Sequence, residues 1–441
     1  MARRFLNKKT HSFYFINSDG KRKRYNLTYG DEVNTRTGNA PSGAKYSRVE
    51  YRGRLGEWKE PPLSKKRCLE MYFLDVGQGD AAIGITPNGT KILVDGGLKD
   101  RALGFLIWKY RLDKPNNHVT IDYLFLSHAD KDHVQGLIPL LNHPQITVNH
   151  IYHNGIGLFD SGFNQKIGNR STDGRLTTLH DSVADLDGLD LASSSQAVFD
   201  DWIEAVKNSG ASYERLDSSK GTLDIGDPDI NIEIVGPRLE ADGQSLKWFK
   251  TKSHTINGHS LVFRVTYNFV RTFFSGDLNV EGSEHLMAVP NASLLLNAHV
   301  FKAPHHGSHE FSQELLNQVN PMMTVVSSGE VPDHGHPRAS FLGGIGRAGR
   351  GDKPLLFSTA LSALFVDSGD PEAVANADSQ NTELGDLKFA NSAANKEARQ
   401  RFKKVLPGII NIRTDGESIY AFKRVQQSYQ WESYGPIEPV S

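Results

Sequence analysis

His128, Asp130, Asp132 and His133 fall within six positions in the run Ser127-His-Ala-Asp-Lys-Asp-His133. Two imidazoles and two carboxylates so spaced can surround a metal ion from a single turn. Imidazole nitrogen combined with carboxylate oxygen suits zinc, manganese or iron better than calcium. Ser127 reads as a turn residue and not as a ligand. A lone His or Asp at a strand end is usually a cap or a solvated loop residue. Four ionisable groups this close are different, because they repel or desolvate one another unless something compensates.

Two elements must hold the run: an apolar strand over 121–126 before it and a helix starting near 134–141 after it. The pattern of apolar strand followed by Asp or His then recurs in Phe274-Ser-Gly-Asp277, in Phe301-Lys-Ala-Pro-His-His-Gly-Ser308 and in Asp333-His-Gly-His-Pro-Arg338. Strand ends at one edge of a sheet face one cleft, so Asp277, His305, His306 and His336 are expected to join the first four residues.

The rest of the chain supplies the frame. Residues 69–76, 81–86 and 91–95 read as an antiparallel meander, with Gly77-Gln-Gly-Asp80 and Pro87-Asn-Gly89 as its turns, followed by a helix over 102–110. Strands are expected at 148–152, 230–235, 260–266, 272–275, 300–303 and 323–327. An amphipathic helix is expected at 196–207, a basic helix at 395–405, and a closing hairpin at 409–412 and 418–422. This gives an α/β domain over 67–425, with insertions at 154–220 and 367–396 and a tail over 426–441.

Residues 1–66 read as a separate, β-rich module with strands at 13–16, 24–28 and 46–51 and a linker near Pro61-Pro62. The net charge of −1 hides an asymmetry: residues 1–70 hold 17 Lys+Arg against 7 Asp+Glu, a balance of +10, and the remainder is near −11. Lys21, Arg22, Lys23 and Arg24 sit on a predicted hairpin beside Tyr25 and Tyr29. Cations interleaved with aromatics can hold a phosphate backbone and stack bases, although a solvated charged hairpin has the same composition. One cysteine, Cys68, excludes an intrachain disulfide and any CxxC metal site, which suits a reducing cytosol. No apolar run reaches membrane-span length, and the basic start lacks the apolar core of a secretory signal, so a cytoplasmic protein is expected.

Taken together, Leu74-Asp-Val-Gly-Gln-Gly-Asp80, Ile92-Leu-Val-Asp-Gly-Gly97, Ser127-His-Ala-Asp-Lys-Asp-His133 with Gly136, Ser275-Gly-Asp277, and Pro304-His-His-Gly-Ser308 with His334-Gly-His-Pro337 resemble the metallo-β-lactamase-fold hydrolases. Within that fold the chain is most similar to the hydrolase domain of ComEC-type competence DNA-uptake proteins, over residues 69–338 and, through the closing hairpin, to about 423. The resemblance implies an αββα sandwich with two divalent metal ions, zinc or manganese, between the sheets. It implies that His128 and Asp130 hold the first ion, Asp132 and His133 the second, that Asp277 bridges both, and that His306 completes the set. Asp95 would orient ligands by hydrogen bonds. The family's third-motif position falls on Asn257, with His259 as the alternative ligand. Asp132 or Asp277 would orient the attacking water, and His305 or His336 would protonate the leaving oxygen. Lys302 and Ser308 are minor candidates for phosphate contact.

The expected activity is that of a metal-dependent phosphodiesterase, foremost a nuclease acting on DNA, with RNA a second substrate. One alternative is hydrolysis of a small phosphoester or cyclic nucleotide, the N-terminal module then binding a protein partner. Another is a nucleic-acid-binding subunit with a structural metal.

Overall fold

Buried and exposed side chains alternate along Lys91–Val94, Val119–Phe125, Ile230–Gly236 and Val262–Tyr267 less than in a half-solvated sheet, because these strands are covered on both faces. The computed structural model describes residues 2–43, 45–158, 166–186, 197–289, 292–329, 335–351, 354–360, 408–424 and 431–439. The expected insertion at 367–396, the basic helix at 395–405 and His334 lie outside the described residues.

Two sheets face each other. The nine-stranded sheet runs Ser212–Arg215, Ile146–His153, Val119–Phe125, Lys91–Val94, Ala82–Ile85, Leu69–Phe73, Ile410–Thr414, Ile419–Arg424, Trp431–Ile437. Its meander is antiparallel, and Lys91–Val94 then pairs parallel with Val119–Phe125. The seven-stranded sheet runs Thr222–Leu223, Ile230–Gly236, Val262–Tyr267, Val270–Phe274, Val300–Lys302, Met323–Val326, Leu355–Ser358. Its last four strands are parallel. Phe73, Val94 and Phe125 from one sheet meet Phe263, Phe274 and Val325 from the other, and Phe125 stacks on Phe263 with ring centroids 4.7 Å apart.

Helices cover the outer faces. Helix α1 (Arg101–Tyr110) and the helix Ala197–Ser209 bury Leu106 and Trp202 against the first sheet. The helices Gln313–Val319 and Ala339–Ala348 bury Leu316 and Phe341 against the second. The architecture is therefore the αββα sandwich of the metallo-β-lactamase fold, with a β-rich sheet at the N-terminus.

That N-terminal sheet has seven strands, not three. Ala2–Leu6, Glu32–Asn39, Arg54–Trp58 and Leu63–Ser64 join Thr10–Ile16, Arg22–Thr28 and Ser47–Tyr51. The residues read as a linker instead end the sheet, with Leu63–Ser64 paired to Phe5 and Leu6. Part of the expected tail is likewise a strand. Trp431–Ile437 pairs antiparallel with Ile419–Arg424 at the sheet edge. Pro436 is tolerated there because one row of an edge strand's N–H groups faces away from the ladder. In the expected insertion at 154–220, Ser212–Arg215 is a strand of the main sheet, parallel to residues 150–153.

Candidate metal centre

Each motif segment leaves the end of a strand at the same edge. Lys91–Val94 delivers Asp95, Val119–Phe125 delivers the 127–133 run, Val270–Phe274 delivers Asp277, and Val300–Lys302 delivers His305 and His306. Helix α2 (Lys131–Val134) begins within the run and carries Asp132 and His133 in its first turns. Asp95, His305 and His306 have φ of 55°, 44° and 53°. Left-handed backbone in non-glycine residues costs about 1–3 kcal/mol each, so three of them at one cluster have to be held by their surroundings. Gly79 permits a close approach: a Cβ there would sit 2.0 Å from the carbonyl oxygen of Asp132. The loop 77–80 therefore packs directly on α2.

The nitrogens and oxygens are aimed inward. Asp277 Oδ2 lies 3.9, 3.3 and 3.2 Å from Nε2 of His128, His133 and His306. Asp132 Oδ2 is 3.3 Å from His306 Nε2, and Asp130 Oδ2 is 3.6 Å from His128 Nε2. Donor atoms of His128, His133 and Asp277 fall within 4.8 Å of one another, as do those of Asp132, His133 and His306. The two groups share His133, and Asp277 Oδ2 reaches His306 of the second group at 3.2 Å.

The opposite side of each ring is tied down. His133 Nδ1 lies 2.9 Å from Asp95 Oδ2, and His306 Nδ1 lies 3.0 Å from the Ser327 carbonyl. His128 Nδ1 is 3.0 Å from Ser127 Oγ, which itself donates to Asp95 Oδ2 at 2.7 Å. All three Nε2 atoms, and Asp277 Oδ1, are buried without a hydrogen-bond partner. Buried polar atoms are normally satisfied, so unsatisfied nitrogens converging on carboxylates mark a cation site.

The electrostatics agree. Burial opposes charge on His133 and His306, yet the Asp277 carboxylate outweighs it, with Asp95 adding at His133 and Asp80 at His306, and both rings are held well above the ordinary imidazole range. Burial would raise Asp277, but His306 and His133 hold it well below the usual carboxylate range. Asp132 is held low against its burial by His306 and His133. The carboxylates call for positive charge, which protons on these imidazoles or a divalent cation can supply. The donor set fits such an ion.

The third-motif residues part company. Asn257 is buried in the helix Lys252–Gly258 with its Oδ1 unpartnered. His259 is directed elsewhere: its Nε2 lies 2.7 Å from the Lys247 carbonyl and its ring stacks on Phe249 with centroids 4.6 Å apart. Burial pushes its pKa down to about 3. Among the described residues, no convergent donor group contains His259.

The two other histidines flank the cluster. His305 Nε2 is 4.0 Å from Asp277 Oδ2, and burial holds this imidazole below its ordinary range. The His336 ring centroid lies 5.7 Å from that of His305 and 6.1 Å from that of His306. Lys302 is buried and occupied: its ammonium pairs with Asp80 and donates to the Gly276 carbonyl at 3.2 Å. Ser308 Oγ accepts from the Glu310 N–H at 3.2 Å.

Asp80 and Ser127 are the residues whose part sequence reasoning missed. Asp80 joins Lys302 to His306, with Oδ1 3.5 Å from His306 Nδ1. Its position closing a Gly-x-Gly turn was the available signal. Lys21–Arg24 are exposed, at the start of the outer strand of the N-terminal sheet, and none of them belongs to the cluster. Arg22 pairs with Glu57 at 2.9 Å and lies over the Tyr14 ring at 4.0 Å.

The model of the metallo-beta-lactamase superfamily matches residues 81–322. Among solved structures the chain is similar to the metallo-beta-lactamase SMB-1 bound to 2-mercaptoethanesulfonate, at 12% identity over 53% of this chain and 76% of that one, with a TM-score of 0.28. It is similar to the Rm3 metallo-beta-lactamase at 13% identity over 60% and 77% of the two chains, TM-score 0.28. It is also similar to MEM-A1, a subclass B3 metallo-beta-lactamase isolated from a soil metagenome library, at 13% identity over 76% and 92%, TM-score 0.25. No curated protein matches the sequence.

Proposed function

Because the chain belongs to the metallo-beta-lactamase superfamily, a fold of metal-dependent hydrolases, we propose that it is a phosphodiesterase, foremost a DNA nuclease, with RNA as a second substrate. The observation that carries this reading is the donor set. Asp130, Asp132 and Asp277 accompany His128, His133 and His306, and with the amide of Asn257 four of the seven proposed ligands offer oxygen, three of them as carboxylates. Hard oxygen donors favour manganese alongside zinc and suit charge-rich phosphoryl chemistry. The likeness of the motifs to the DNA-uptake hydrolase domain and the basic N-terminal sheet support the same substrate class.

His128, Asp130 and Asn257 would hold one ion, Asp132, His133 and His306 the other, with Asp277 shared. Bound there, two divalent ions would acidify water and draw charge from a phosphoryl oxygen. The chain's own residues do the rest. Asp132 and Asp277 accept hydrogen bonds that orient the attacking water. Asp95 and Ser327 lock the ring orientation of His133 and His306. His305, which burial holds below the ordinary imidazole range, and His336 flank the cluster, and one of the two protonates the leaving oxygen.

A paired assay tests the reaction class: a chromogenic phosphodiester and a chromogenic cephalosporin, each offered to the manganese- and the zinc-loaded protein. Turnover of the phosphodiester, abolished in Asp132→Ala, is expected. Turnover of the cephalosporin alone would overturn the assignment.

A further inference from the structure

A second cleft lies at the other end of the same strands. Its volume is about 740 Å³, within the usual range for small-molecule sites. The N-terminal sheet forms one wall with Arg3 and Asn34, and the hairpin tip Arg52-Gly53 forms another. The end of α1 and the following turn bring Trp108 and Lys114, and the turn before Lys91 closes it.

Position separates this cleft from the metal centre. Lys91 begins the strand whose far end delivers Asp95, four residues away, or roughly 13 Å at about 3.3 Å per residue. Helix α1 spans the same gap. Arg101 at its start pairs with Asp75 beside the loop 77–80, while Trp108 and Lys109 at its end line the cleft.

Charge decides what fits. Among the described residues, eight cations line the cleft, Arg3, Arg52, Arg67, Lys91, Lys109, Arg111, Lys114 and Arg413, against Asp31, Glu32 and Glu70. The three acids are already matched. Arg413 pairs with Asp31 at 2.8 Å and Glu70 at 3.4 Å, Arg67 pairs with Glu32 and Glu70, and Lys109 is 3.5 Å from Glu70. Arg111 is matched by Asp113 outside the cleft. Arg3, Arg52, Lys91 and Lys114 remain, none ion-paired with a carboxylate among the described residues.

Arg52 is also held in place. It occupies the left-handed region at φ 49° in a two-residue hairpin turn with Gly53 at φ 68°, where Asn, Asp or Gly is the usual first residue. Its guanidinium lies 3.6 Å from the Trp108 ring centroid and donates to the Trp108 carbonyl. Its own carbonyl accepts from Arg111 Nη1 at 3.3 Å. The tip of the N-terminal sheet is thereby fastened to α1 with a cation facing the cleft.

The geometry points to a second, non-catalytic site for an oligophosphate, a ligand carrying two or more linked phosphates, at the seam between the N-terminal sheet and the hydrolase sandwich. Four cations without carboxylate partners line one concavity and reinforce one another's field, and a multiply charged anion gains most from that. A nucleoside triphosphate and a nucleic-acid backbone both offer this chemistry.

Calorimetric titration of the metal-loaded protein at physiological salt tests the site, with tripolyphosphate, ATP and a short single-stranded DNA as probes. The Lys91→Gln/Lys114→Gln double variant is the key comparison. Neither side chain forms an ion pair among the described residues, so its unfolding temperature should match the wild type. The expected result is saturable tripolyphosphate binding that weakens at least about tenfold in the double variant and persists in Asp132→Ala. ATP competing with tripolyphosphate identifies a free nucleotide as the source, and DNA competing identifies a backbone. Absence of tripolyphosphate binding, or equal affinity in wild type and double variant, overturns the proposal. So does binding that is lost in Asp132→Ala, since it would belong to the metal centre.

Discussion

His133 Nδ1 lies 2.9 Å from Asp95 Oδ2, and that contact determines which nitrogen of the ring faces the cluster. Asp95 makes two further bonds to the same turn, accepting from the Ser127 N–H and from Ser127 Oγ, both at 2.7 Å. One buried carboxylate in a left-handed conformation thus positions the first ligand turn from behind. Asp95→Asn should keep the fold but weaken metal binding by roughly 10–100-fold, the usual effect of losing such a supporting partner. Competition with a chromogenic chelator measures this. Unchanged affinity would show that Asp95 serves stability alone.

His259 and Asn257 give opposite expectations. His259→Gln should leave the metal stoichiometry intact and lower stability by about 1–3 kcal/mol, through the lost Lys247 contact and Phe249 stacking. Asn257→Ala should reduce occupancy of one ion and leave the other. Elemental analysis after gel filtration, with urea unfolding beside it, separates the two residues. Loss of an ion in His259→Gln would reverse the assignment.

How legible the site was follows from local geometry. The 127–133 run could be read because its four groups sit on one strand-to-helix turn, where sequence spacing is nearly spatial spacing. Asp277, His305 and His306 were readable because each follows an apolar strand, and parallel strands end on the same side. Asn257 and His259 could not be ranked. They flank the end of a short helix, where two steps turn a side chain by about 200°, so only one of them can face the cluster. Lys302 looked like a phosphate ligand, but its partner Asp80 is more than two hundred residues away in sequence, and that pairing exists only in the fold. Of the four N-terminal strands that went unread, Leu63–Ser64 is only two residues long. Glu32–Asn39 contains a single large apolar residue, Val33.

Arg413 is a buried residue that no sequence pattern announced. Its guanidinium reaches Asp31 of the N-terminal sheet, the carbonyl of Tyr29, and Glu70 and Tyr72 of the sandwich. Removing one partner of such a pair strands a buried charge, so Arg413→Met and Asp31→Ala should each destabilise by about 3–5 kcal/mol. Deleting the N-terminal module would have the same consequence, so its role in binding is better tested by substitution. Denaturant unfolding measures the loss. A change under about 1 kcal/mol would mean that the seam is not held by charge.

The same network predicts acid sensitivity. Burial would raise the Glu70 pKa, but Lys109, Arg413 and Arg67 bring it down from 4.5 to about 2. A lowered folded-state pKa contributes stability that is present above the unfolded value and lost as pH falls through the folded one. The contribution, on the order of 3 kcal/mol, should therefore be complete above pH 4.5 and fade toward pH 2. The stability gap between wild type and Glu70→Gln should narrow over that window. A gap that stays constant from pH 6 to about 2 would contradict the prediction.

If the outer strand of the N-terminal sheet tracks a phosphate backbone, Lys21→Gln, Lys23→Gln and Arg24→Gln should each flatten the dependence of log affinity on log salt by about 0.7–0.9. Arg22→Gln should change the slope less, since Glu57 already compensates the Arg22 charge. Fluorescence anisotropy with labelled DNA at several salt concentrations gives the slopes. Identical slopes in all four variants would remove this strand from the DNA path.

The most direct test of the account is cleavage of supercoiled plasmid by metal-free protein to which manganese, magnesium or zinc is restored in turn, with Asp132→Ala alongside. The account predicts metal-dependent nicking or linearisation by the wild type that disappears in the variant, with both proteins still retaining the plasmid in a gel shift. Intact plasmid after incubation with fully loaded wild-type protein, or equal cutting by the variant, would contradict it.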